Sequence, residues 1–97
     1  MDNERMALEK AKKALSADCL FSVDGADGLF CVSHDNSAIE VEDIASAPLC
    51  YTNSFKSVDD MLENMEVGQL RARDGHIVVE NGRRLADCCS RITVKRM

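Results

Sequence analysis

Cysteine and histidine head the list of side chains able to do chemistry: Cys88 and Cys89 adjoin in "LADCCSRI", and Cys31 stands three residues before His34. Thiolate and imidazole are zinc ligands, and Cys31 and His34 with Cys88 or Cys89 would supply a tetrahedral set. Structural zinc sites are usually built from two closely spaced ligand pairs, whereas this chain offers one, so no metal or other cofactor is expected. On a strand Cys88 and Cys89 would point to opposite faces, and on a helix both would reach the core-facing stripe. Free cysteine packs as a small hydrophobe, and packing is the expected role in either case.

The other reactive letters are Ser33, His34 and Asp35. They spell a catalytic triad, but neighbours on a strand alternate sides while a triad must converge in space. His76 follows Asp74-Gly75 and reads as a hairpin residue. Neither a nucleophile elbow, a zinc-protease helix nor a phosphate-binding loop occurs, and "DGADG" lacks the ligand spacing of a calcium loop. The expectation is that the chain is not an enzyme.

Carboxylates remain, and their distribution is the strongest functional signal. Residues 1–17 sum to +1, residues 67–97 to +4, and residues 18–66 to −10, with eleven acids against Lys56 alone. In "SVDDMLENME", Asp59, Asp60, Glu63 and Glu66 repeat at helical spacings of three and four, opposite the stripe of Val58, Met61, Leu62 and Met65. Like charges so spaced destabilise an isolated helix, with some relief from the dipole at its first turn. A second group, Asp35, Glu40, Glu42 and Asp43, precedes it and would join the first in one broad negative face. Carboxylates on successive helical turns lie about 5 to 6 Å apart, comparable with the charge density of a nucleic-acid strand.

These residues have to be held by some fold. The segment "ERMALEKAKKALS", capped at Asp2 or Asn3, sets Leu8, Ala11 and Leu15 on one face and reads as a helix. "CLFSV" and "LFCVSH" read as strands joined at "DGADG". "SAIEVEDIASAP" alternates like a strand yet also carries a capping box, and is read as a strand that becomes a helical turn before Pro48. "LCYT" is a short strand, and Ser57 opens the second helix. The dipeptides Asp74-Gly75 and Asn81-Gly82 predict hairpin turns, hence an antiparallel meander of "VGQLRAR", "HIVVE" and "RRLAD". Residues 83–96 fit both a helical and a strand period.

Together these elements predict an α+β fold in which an antiparallel sheet of about five strands carries two helices on one face. At 97 residues, 45% apolar and 30% charged, the chain has the composition of one small folded acidic domain. Apolar runs are far shorter than a membrane span, and five cysteines without a regular framework suit a reducing, cytoplasmic setting. Four aromatic residues and no Trp leave little for stacking on bases.

The function expected from this pattern is inhibition without catalysis. The acidic face would occupy the basic groove of a nucleic-acid-binding protein or complex, in the manner of phage proteins acting against restriction or CRISPR systems, or of immunity proteins that cover nucleases. That parallel rests on size and charge alone. Its rival is a regulatory domain that binds nucleic acid directly through Arg71, Arg73, Arg83, Arg84, Arg91, Lys95 and Arg96. Alternatively, the basic strands would meet the acidic face of a second copy in a homodimer.

Overall fold

A computed structural model describes residues 3–45 and 51–96. Helix α1 (Asn3–Ala14) leads into β1 (Cys19–Val23), β2 (Phe30–His34), β3 (Ile39–Asp43) and β4 (Tyr51–Phe55). Helix α2 (Val58–Asn64), β5 (Glu66–Arg73), β6 (His76–Arg84), a 3₁₀ helix (Leu85–Arg91) and β7 (Ile92–Arg96) follow. The predicted α+β class is observed: five antiparallel strands in the order β4-β3-β2-β1-β7 form the main sheet, and β5 and β6 form a separate ribbon.

Strict alternation gives the sheet one dry face. Cys19, Phe21 and Val23 of β1, Phe30 and Val32 of β2, and Ile39 and Val41 of β3 are buried, and they share a core with Leu15, Met61, Leu62, Met65, Leu85 and Cys88. The α-helices and the 3₁₀ helix therefore lie on the same side of the sheet. The residues between, Leu20, Ser22, Cys31, Ser33, Glu40, Glu42, Thr52 and Ser54, point away from that core. Phe21 and Phe30, paired in register, stack at the centre with ring centroids 5.0 Å apart.

Two sequence expectations change. Asn81-Gly82 is no turn: β6 runs through it, and two residues there oppose Gly68 alone between the pairs Val67–Arg83 and Gln69–Glu80. Asn81 takes φ 54°, a left-handed conformation that Asn tolerates, so the dipeptide forms a bulge where a hairpin was expected. A side chain on Gly68 would lie 2.5 Å from the Glu80 carbonyl oxygen, so the ribbon closes only around glycine there.

Secondly, "RRLAD" is not a third meander strand. Residues 85–91 wind as a 3₁₀ helix that buries Leu85 and Cys88, and "ITVKR" then returns as β7 to pair with β1. Both periods read in residues 83–96 are thus present in succession. The expected helical turn before Pro48 lies largely outside the described residues.

Candidate functional site

Helix α2 forms where the capping box places it: the Ser57 hydroxyl accepts from the Asp60 N–H at 3.0 Å, and Met61, Leu62 and Met65 sink into the core. Its acids face outward but are engaged. Asp59 pairs with Lys12 of α1 at 3.1 Å, and Glu63 with Arg84, which also holds Asp87. Asp60 is half-buried, its carboxylate accepting from the Lys56 N–H and from the Asn64 amide. Glu66 is exposed at the start of β5, in register with Arg84.

The second group divides three ways. Asp35 ties the β2–β3 connection, accepting from the N–H groups of Ser37 (2.9 Å) and Ala38 (2.8 Å). Glu40 and Glu42 stand exposed on the outward face of β3, flanked in register by Ser33 and Cys31 on β2 and by Ser54 and Thr52 on β4. No ion-pair partner for either occurs among the described residues. Asp43, proposed from sequence as a partner contact, is 2% exposed and cannot meet one. Its Oδ1 accepts from the backbone of Leu29 and Ala45, a structural duty that its alternation with Ile39 and Val41 already signalled.

The single broad acidic face is also corrected. Because α2 packs on the core side of the sheet while Glu40 and Glu42 point from the other side, the two groups belong to different surfaces.

Hydrogen bonding depresses two of these carboxyls. The backbone donors Ser37 and Ala38 hold Asp35 below its ordinary range, and the Lys56 N–H followed by the Asn64 amide does the same for Asp60. A carboxyl with a lowered folded pKa adds stability above its unfolded value of about 4, and that contribution disappears as pH falls through the folded value. Thermal melts between pH 2 and 5 should therefore fall less steeply for the D35N/D60N double variant than for the natural chain. Identical slopes would remove both carboxylates from the acid transition.

The thiols and imidazoles do not assemble. Cys31 sits on the outward face of β2 and His34 on the opposite one, where its Nε2 donates to the Leu15 carbonyl at 2.9 Å. Cys88 lies in the core on the helix side, with the sheet between it and Cys31. Among the described residues no three His, Cys, Asp or Glu side chains come close enough to share a metal. Burial raises the thiol pKa of Cys19 and of Cys89, with Asp18 adding to the first and Cys88 to the second, and the Cys89 Sγ–H points at the Ala86 carbonyl. Such thiols stay protonated and are poor nucleophiles near neutral pH. Ser33 and His34, on opposite faces, cannot relay a proton.

Several cations proposed for phosphate contacts are occupied: Arg71 and Arg73 share Glu80, and Arg84 serves Glu63 and Asp87. No helix among the described residues is long and apolar enough to cross a membrane. Comparison with protein-family models, curated proteins and solved structures found no match to this chain.

Proposed function

We propose that this chain is a non-enzymatic, protein-binding inhibitor that offers carboxylates, in place of nucleic acid, to a partner with a groove lined by Lys and Arg. The observation that carries the reading is the pair Glu40 and Glu42, exposed without ion-pair partners among the described residues on a sheet face that no described helix covers. Side chains two apart on a strand are spaced about 6.6 Å, close to two charge intervals along one strand of duplex DNA. Asp35 adds a third charge at the neighbouring turn.

The acids of α2 form a second, held surface. Exposed ion pairs add little in water, so a cationic partner would compete with Lys12 and Arg84 for Asp59 and Glu63 at small cost. We place the protein in the cytoplasm, a setting that suits the free thiols of Cys19, Cys88 and Cys89. In a restriction or CRISPR complex, or a nuclease held by its immunity protein, such a surface would be steered in quickly and released by salt.

The test is affinity capture from bacterial lysate at low and high salt, with the natural chain beside E40K/E42K and, separately, D59K/E63K. A nucleic-acid-binding protein should be retained at low salt, lost at high salt and lost with E40K/E42K. Loss with D59K/E63K alone would move the site to α2. Equal retention by all three baits would remove the acidic surfaces from function.

A further inference from the structure

A groove of about 710 Å³ runs between α1 and β7, on the side of the molecule where the main sheet ends. Ala7, Ala11 and Ala14 of the helix, with Ala17 after it, form one wall, and Cys19, Cys89, Ile92 and Val94 supply apolar floor. The wall is low because α1 turns small residues towards it, leaving room beside the strand.

Two further features make it more than a gap in packing. First, β7 pairs with β1 on one side only, so along Ile92–Arg96 the other backbone edge is unpaired by any strand among the described residues. Protein edges of this kind accept an added strand, whose main chain gives affinity and whose alternate side chains enter pockets. Secondly, Lys10, Lys13 and Arg96 ring the groove against one acid, Asp18. None of the three has an ion-pair partner among the described residues, in a chain with 17 acids and 12 Lys and Arg. The acid excess lies elsewhere, and the cations stand where the groove opens.

We infer that this groove takes an extended segment of a partner protein, added as a sixth strand beside β7, whose groove-facing residues, every second one, combine apolar side chains with Asp or Glu. Ile92, Val94 and Arg96 point to the same side of the sheet as α1, so the apolar side chains would lie against Ile92, Val94 and the alanines while acids on that same face reach Lys10, Lys13 and Arg96. The inference is independent of the carboxylate surface: the groove lies at the β7 end of the sheet, with β2 between it and β3, and carries the opposite charge.

The experiment uses displayed peptides about six residues long, the length of an ordinary strand, with threonine fixed at alternate positions and the others randomised. Panned against the full chain, they should become enriched in apolar residues and in Asp and Glu at the random positions. A selected peptide should bind K10E/K13E about tenfold or more weakly, both residues being exposed on α1. N-methylation of one alternating set of its amides should abolish binding while the other set is tolerated, the signature of a strand paired along one edge. Absence of enrichment, selection of basic peptides, or tolerance of both methylation patterns would overturn the inference. So would a natural chain that sediments as a dimer and a K10E/K13E variant that sediments as a monomer, since a second copy would then be the occupant.

Discussion

Phe21→Ala should lower the unfolding free energy by about 3 to 5 kcal/mol, a large part of the roughly 5 to 15 available to a domain of this size. Phe21 is 1% exposed on β1, next to the middle strand of the main sheet, and its ring stacks on that of Phe30. With three Phe, one Tyr and no Trp, the chain has no spare aromatic volume to refill the space. Val32, Val41 and Met61, all fully buried, are already packed and could relax only partly into it. Urea denaturation would register the change as a lower midpoint at constant slope. The neighbouring substitution Leu20→Ala serves as control: Leu20 points from the open side of the sheet, and its removal should cost far less. Equal losses at the two positions would mean that the inward and outward faces of β1 have been misassigned.

Most of this arrangement is legible in residue order because alternation and helical spacing are local signals. Leu8, Ala11 and Leu15 announce α1, the run from Ser57 to Met65 announces α2, and "CLFSV" with "LFCVSH" announces the first hairpin. What fails depends on partners distant in sequence. Asn81-Gly82 satisfies the local rule for a turn, but Gly68 on the facing strand leaves room for β6 to continue, and a bulge results. The double periodicity near Cys88 is real: the helical part covers the core between α1 and α2, and the strand part pairs with β1, close to the other end of the chain.

The candidate site is less legible than the fold. Charge can be counted along the chain, but whether an acid is free depends on what the fold sets beside it. Lys12 reaches Asp59 from α1, and Arg84 reaches Glu63 from β6, so the row that looks most exposed is the row most engaged. Glu40 and Glu42, the less conspicuous group in the sequence, are the pair left uncovered. The cationic groove escapes a linear reading altogether, although Ala7, Lys10, Ala11 and Ala14 share one helical side and hint at a face of α1 without large core residues.

Asp43→Ala should cost about 2 kcal/mol or more, whereas Glu42→Ala, one residue away, should change stability by no more than about 0.5 kcal/mol. The contrast follows from position on β3. Asp43 shares the inward side with Ile39 and Val41, and its Oδ1 accepts the N–H groups of Leu29 at 3.3 Å and Ala45 at 3.0 Å. Those donors belong to the segments entering β2 and leaving β3, so one carboxylate ties the two chains together at the end of the strand pair away from its turn. Gly28 allows the approach: with φ 109° it follows a path that other residues rarely take, and a side chain there would lie 2.8 Å from the Phe30 ring and 3.3 Å from Asp43 Oδ2. Alanine in place of Asp43 removes the acceptor and leaves part-buried donors facing an apolar methyl. Asparagine keeps an oxygen there, so D43N should recover a good share of the loss. If D43A and E42A melt alike, Asp43 is not the tie between these segments; if D43N is no better than D43A, the charge and not the acceptor geometry holds them.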